Sequence, residues 1–182
     1  MIRSMNDLDI PTLETQRLTL RPFRKNDFDD YAALNADPEV QRYMGGVVWD
    51  RGRSWRHLAF LIGHWHLGGA GTWAVEDRAT GELAGKIGFS CPDGWPGFEL
   101  AWMLARRYWG RGYATEGARA ALCFAFAELG QEHVISLIRP INQASIRVAE
   151  RLGERLEGTS VVAGVEYLTY GIDRSGHTAR AA

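Results

Sequence analysis

The run Arg107-Tyr-Trp109-Gly110-Arg111-Gly112-Tyr113-Ala114-Thr115 carries the residue types and spacing best suited to chemistry in this chain. Glycines at 110 and 112 remove Cβ atoms where the backbone must turn tightly, so its amides can approach a ligand. A helical pattern begins at Tyr113, and the unpaired N–H groups and positive dipole end of that helix point at the same place. Together they form an anion site suited to a diphosphate. Arg107 and Arg111 add charge-assisted donors, with Arg106 beside them. A Walker A loop is excluded, because no Gly-Lys-Ser/Thr follows. A dinucleotide loop needs a third glycine where Thr115 stands, and no doubly wound series of strands and helices follows it. An incidental strand–helix turn is the remaining alternative.

Other reactive residue types point less clearly. His57, His64 and His66 lie in one helical region, but 57 and 64 are two turns apart and 66 is on another face. No cysteine or carboxylate cluster accompanies them, so no metal site is expected. Cys91 and Cys123 show neither a disulfide framework nor a metal spacing and read as reduced thiols. The strand over 97–104 separates two faces by its period of two. Phe98, Leu100, Trp102 and Leu104 form a bulky core face; Glu99, Ala101, Met103 and Ala105 form a smaller one with a single carboxylate. The smaller face fits a substrate passage or close packing against an alanine-rich helix. Trp49, Trp55 and Trp65 bracket the histidine region and would either wall an apolar pocket or serve as core or dimer contacts.

The elements that must position these residues follow from periodicity. A strand over 17–23 alternates and is closed by Pro22. Asn26 or Asp27 caps a helix carrying Phe28, Tyr31 and Leu34, which ends before Pro38. A second helix spans 50–66, with Trp55, Leu58, Ala59, Ile62 and Trp65 at helical spacing. Strands over 72–77, 82–90 and 97–104 form an antiparallel meander joined by turn-rich segments. A helix over 113–129 buries Ala118, Ala121, Leu122, Ala125 and Phe126. A strand at 133–138, a helix at 142–152 ended by Gly153, and strands near 155–161 and 165–172 complete the chain. The unit near 98–138 requires a parallel crossover. The expected fold is α/β (α+β): a mixed, mostly antiparallel sheet of about seven strands flanked by four helices on both faces. Residues 1–14 and 175–182 read as loose ends.

Length and composition fit that picture. The 182 residues suit one domain, with a core over about 15–173. They are 46% hydrophobic and 24% charged, an ordinary globular usage. The net charge of −1 comes without a basic block, which argues against non-specific nucleic-acid binding. No apolar run spans a bilayer, and Met1–Asp9 does not read as a secretory signal, so a cytoplasmic location with no membrane partner is expected.

Arg107-x-x-Gly110-x-Gly112 resembles the coenzyme A pyrophosphate motif of the GNAT acetyltransferases. Tyr108-Trp-Gly-Arg-Gly-Tyr-Ala-Thr-Glu116 is similar to the corresponding run of the ribosomal-protein acetyltransferase (RimJ/RimL-like) branch. Thr15-Gln-Arg-Leu-Thr-Leu-Arg-Pro22 resembles that branch's opening strand, and Asn142-Gln-Ala-Ser145 through Gly153 resembles its Asn-x-x-Ser helix. The likeness runs from about Thr15 to Asp173 in the expected order.

The resemblance implies an N-acetyltransferase that uses acetyl-CoA and acts on a primary amine, either a protein N-terminus or a small molecule. A GNAT-fold protein that binds acyl-CoA without turnover is the alternative. It implies that the pyrophosphate meets N–H groups around Trp109–Ala114, that pantetheine pairs with backbone at Met103, Leu104 and Ala105, and that Asn142 and Ser145 face the thioester end. Arg151 would reach the adenosine phosphates or lie on a solvated face. Glu99 is the candidate general base, through a water, against an ordinary salt-bridged role. Such help matters more for a lysine amine, about 4.6 kcal/mol to deprotonate at pH 7, than for an α-amine at about 1. Backbone N–H at Met103 or Leu104 is the candidate oxyanion donor. Many GNAT enzymes carry a tyrosine acid where this chain has Ala149; Ser145, one turn earlier on the same face, is the nearest hydroxyl. It would act as acid or help Asn142 cap its helix. A homodimer is also implied.

Overall fold

One eight-stranded sheet, with its central strands β3 (Thr72–Asp77) and β4 (Leu83–Ser90) buried almost throughout, organises the chain in a computed structural model that describes residues 10–181. The strands are β1 (Leu13–Glu14), β2 (Leu18–Arg21), β3 (Thr72–Asp77), β4 (Leu83–Ser90), β5 (Glu99–Leu104), β6 (His133–Ile138), β7 (Arg155–Val162) and β8 (Val165–Asp173). Their order is β1-β2-β3-β4-β5-β6-β8-β7, and only β5 and β6 run parallel. The helices are α1 (Phe28–Ala36), α2 (Pro38–Gln41), α3 (Arg51–Gly68), α4 (Tyr113–Ala127), α5 (Gln143–Leu152) and α6 (Arg174–Ala181). None among the described residues is long and apolar enough to cross a membrane.

Two cores sandwich the sheet. On one face, Ala118, Ala121, Leu122 and Ala125 of α4 pack on Leu18, Leu20, Trp73, Val75, Ile87 and Leu100. On the other, Tyr31 and Leu34 of α1, Val40 of α2 and Leu58 and Leu61 of α3 pack on Ala74, Leu83 and Met103. Because side chains alternate across a strand, β5 sends Leu100 and Leu104 to the first core and Met103 to the second. Burial of such apolar surface, at roughly 25 cal/mol per Å², is the main force holding the layers together.

The architecture agrees with the sequence expectation, with eight strands for about seven and six helices for four. Strand β1 is only two residues long and shows no period of two. Pro38 ends α1 as expected but also opens α2 as its first residue, a position where the missing N–H costs nothing, while the Asp37 side chain accepts from Glu39 N–H at 2.9 Å. The C-terminal tail is helical instead of loose: Arg174 anchors it through N–H to Glu132 O and Nε–H to Gln131 O, both 3.0 Å. Residues 1–9 of the expected N-terminal loose end lie outside the described residues. Helix α3 buries Ser54, Leu58, Leu61, His64 and Trp65, whereas Trp55 and Ile62 are exposed, so the expected stripe is rotated. Trp55 instead packs edge-on against Phe28 of α1 at 5.0 Å between ring centroids.

Candidate active site at the broken centre of the sheet

The site arises where β5 and β6 part. Ile135 N–H donates to Phe98 O at 3.0 Å, Glu99 pairs in register with Ile135, and there the ladder stops. Met103 lies opposite Lys86, and Ala105 N–H donates to Ala84 O at 2.8 Å. Antiparallel pairs alternate, so Met103 and Ala105 turn their backbone groups to β4 and Trp102 and Leu104 turn theirs to the gap. This corrects the expectation for Met103 and Ala105, whose amides are already bonded. Ala105 O also accepts from Tyr108 N–H at 2.9 Å. Only the Leu104 N–H and the backbone of Trp102 face the gap, and Leu104 O accepts the Trp109 indole N–H at 2.7 Å.

Two cavities flank the gap. One, of about 390 Å³, is walled by Met103, Leu104, Trp109, Gly110, Gly112, Tyr113, Ala114 and Thr115 on one side and Asn142, Ser145, Arg147 and Arg151 on the other. Gly110 and Gly112 have φ of 72° and 79°, the left-handed region where glycine alone is unstrained. Gly112 is the N-cap of α4 and supplies no side-chain cap. Among the described residues, no acceptor takes the N–H groups from Gly110 to Thr115, and a Cβ built at Gly110 would meet open space. An amide cradle of this kind, with no internal acceptor, fits a diphosphate.

The opening strand braces the cradle from behind. Glu116 accepts from Thr15 Oγ1 at 2.7 Å, Arg17 N–H at 2.8 Å and Arg17 Nε at 2.7 Å, and Arg17 Nη1 donates to Arg111 O at 2.8 Å. Tyr113 donates to Asp77 at 2.8 Å and Tyr108 to Glu82 at 3.0 Å. Arg107 does not line the cleft. Its guanidinium lies 3.3 Å from Glu82 and over the Tyr108 ring, which sets its charge against the β3–β4 turn. Arg111 also lies off the cleft wall, and its charge acts on Asp77 behind the loop. Arg147 and Arg151 supply the positive charge instead, because α5 presents them across the gap.

The second cavity, of about 290 Å³, lies under α3 and shares the walls Tyr43, Met44, Trp102, Asn142 and Ser145 with the first. Glu99 sits in its floor, 8% exposed, and accepts from the Trp95 indole at 2.8 Å. Burial pushes its carboxyl up to about 7, against the Trp95 N–H, the Lys86 charge and the Leu137 N–H, which favour the carboxylate. Lys86 lines the same cavity, and burial pushes its ammonium down to about 8, opposed by Glu99. His57 is pushed down to about 3 by burial and by the charges of Lys86 and Arg53, so it is neutral; its Nδ1 is 2.6 Å from the Tyr31 hydroxyl.

At the junction the Trp102 indole N–H donates to Ser145 Oγ at 3.2 Å, and Asn142 Oδ1 accepts from Ser145 N–H at 3.1 Å. Asn142 therefore caps α5, and the Ser145 hydroxyl hydrogen stays free for a ligand. Ala149 is fully buried with Ile138, Ile146 and Tyr170 and offers the cleft no group. Sequence reasoning assigned Trp102 to the core and passed over Tyr43, Lys86 and Trp95. Strand parity could have found Lys86, which falls on the same sheet face as Glu99. Nothing in the spacing marks Tyr43, which follows α2 in an irregular segment. No group of three or more His, Cys, Asp or Glu residues able to hold a metal occurs among the described residues.

The mixed sheet is split at its one parallel pair, with an amide cradle on one side of the gap and a carboxylate-floored cavity on the other. Residues 17–155 match the family profile described as an acetyltransferase (GNAT) domain, and the chain belongs to that family. It is similar to YkkB of Bacillus subtilis, 36% identical over 144 residues covering 78% of this chain and 83% of that one. It is also similar to the N-acetyltransferase p20 of Bacillus licheniformis, 30% identical over 81% of this chain and 84% of that protein. Among solved structures, an acetyltransferase from Agrobacterium tumefaciens superposes with a TM-score of 0.83 at 35% identity, covering 93% of this chain and 98% of that one.

Proposed function

We propose that this chain is a single-domain, acetyl-CoA-dependent N-acetyltransferase that passes an acetyl group directly to a primary amine. The observation that carries the proposal is the meeting of the two cavities at Trp102, Asn142 and Ser145. That junction is the one place where a donor held by the cradle and an amine above Glu99 would touch.

Acetyl-CoA supplies the acyl group as a thioester. Amides of Gly110 through Thr115 grip its diphosphate, with Arg147 and Arg151 across the cleft; the Trp109 N–H, expected to join them, is already given to Arg106 O at 3.0 Å. The Leu104 N–H and the backbone of Trp102 take the place of missing β6 rungs and pair with the pantetheine arm or polarise the carbonyl oxygen. Glu99, as the carboxylate, accepts the amine proton through a water; a base with a pKa of about 7 suits that work at neutrality. Ser145 donates a hydrogen bond from its free hydroxyl to the sulfur as it leaves, the thiolate takes its proton from water, and the Trp102 indole holds the Ser145 oxygen in place. The similarity of residues 15–22, 108–116 and 142–153 to the RimJ/RimL-like branch supports placement in or near that branch, and with it a cytoplasmic homodimer.

Thiol release measured across a panel of amines and an N-terminal peptide tests the reading. Saturable acetyl-CoA binding with no thiol release for any acceptor would establish the non-catalytic alternative, which the alanine at 149 favours.

A further inference from the structure

The acceptor cavity contains one charged group for which acetyl transfer has no use. Lys86 on β4 is 9% exposed, lines the cavity, and donates to no acceptor among the described residues. It is not within salt-bridge distance of Glu99, which is engaged by Trp95. An ammonium largely withdrawn from water and given no carboxylate within ion-pair distance is poorly solvated, so it would hold an anion that enters the cavity. Arg139 lines the same cavity, and His57 is neutral. The charged walls are thus two cations against one carboxylate. A polyamine acceptor would require the opposite balance.

We propose that the acceptor is a small primary amine that also carries a carboxylate, which Lys86 anchors while the amine end lies toward Glu99 and Ser145. This rests on the reading that the cavity under α3 receives the acceptor. The volume of about 290 Å³ suits a free amino acid or similar amino-carboxylate. Phe60, Leu61 and Trp102 give its carbon skeleton apolar walls.

The test pairs amino acids with amines of the same skeleton lacking the carboxylate. Acetyl-CoA turnover is followed with the wild type, with Lys86→Met, which keeps the side-chain length, and with Arg139→Gln. The wild type should favour the carboxylated member of each pair by roughly ten- to a hundredfold in kcat/KM, chiefly through KM. Lys86→Met should lose that preference while its acetyl-CoA affinity holds; because the Lys86 charge favours the Glu99 carboxylate, turnover of both members should fall together near pH 7, and the ratio between them is what is read. Arg139→Gln should weaken the preference by a smaller factor. Equal turnover of both members by the wild type, or a preference that survives Lys86→Met, overturns the inference and leaves the acetyltransferase reading standing. If no amine is turned over at all, calorimetric titration of the same amino acids into CoA-loaded protein decides. Binding that Lys86→Met abolishes supports the carboxylate anchor, and absence of binding overturns it. Melting temperatures establish that each variant is folded.

Discussion

Glu99 is half charged at neutral pH because burial holds its carboxyl at about 7. As the base it must be ionised, so the rate should climb as pH rises through about 7 and level off above it. Glu99→Gln should lower kcat by roughly a hundredfold, remove that rising limb from the pH profile and leave acetyl-CoA affinity unchanged. An unchanged rate would remove Glu99 from the chemistry. Glu154 has the same cause of shift without the role: burial pushes it up to about 8, and Ser136 Oγ donates to it at 3.0 Å while Oε2 has no partner. Both carboxyls hold protons more tightly folded than unfolded. Their contribution to stability is therefore full below about 4.5 and lost as pH rises through about 7 for Glu99 and about 8 for Glu154. Glu154→Gln, which cannot ionise, should raise the melting temperature by several degrees at pH 9 and much less at pH 6; an equal shift at both would contradict the assignment. Glu99 was legible as a candidate because the GNAT resemblance puts a base on this strand and parity sets Glu99 on its smaller face. Its burial was not, since that depends on α3 and the 92–96 turn closing over it. Lys86 shows the same limit, as a lysine within Leu-Ala-Gly-Lys-Ile-Gly-Phe looks like a surface residue until its sheet face is covered.

The strand–loop–helix element from β5 to α4 works as a unit, and its parts differ in how openly the sequence displays them. Gly110 and Gly112 could be read in advance because a left-handed backbone needs glycine. The guanidinium directions of Arg107 and Arg111 could not, because a turn's side chains follow whatever partners the neighbouring strands offer, here Glu82 and Asp77. Gly110→Val should cost about 1–2 kcal/mol from the left-handed conformation and fill the cradle with two methyl groups. Acetyl-CoA at a hundred times its dissociation constant should stabilise the wild type by about 2.7 kcal/mol, visible as several degrees in a melting curve. The variant should show almost none of that shift at the same concentration. Glu116 does not line the cleft but ties Thr15 and Arg17 to the loop. Glu116→Gln, which accepts less strongly, should weaken acetyl-CoA binding by roughly three- to tenfold with kcat at saturation little changed. A kcat loss with normal affinity would instead place Glu116 in the reaction.

At the scale of the whole molecule, the β3–β4–β5 meander was recoverable because turn-rich segments join its strands, and the parallel step to β6 because the connection through α4 demands a crossover; the place of β8 between β6 and β7 was not. The gap was not recoverable, since hydrophobic patterning marks which residues are strands and not how far two strands stay paired. Phe98, Glu99 and Ile135 hold the five strands β1–β5 to the three strands β6, β8 and β7. Helices α4 and α5, which pack against each other, bridge the two halves from one side.

A sheet fastened at one end and open at the other behaves like a clothes peg. Peptide hydrogens of Trp102 and Leu104, which lack a strand across from them, should trade with deuterated water early, ahead of those of β3 and β4. Whatever slides into the jaws completes the ladder, and the same two hydrogens should then become slow. Timing that exchange with and without CoA would reveal the jaws closing even in the absence of any acceptor.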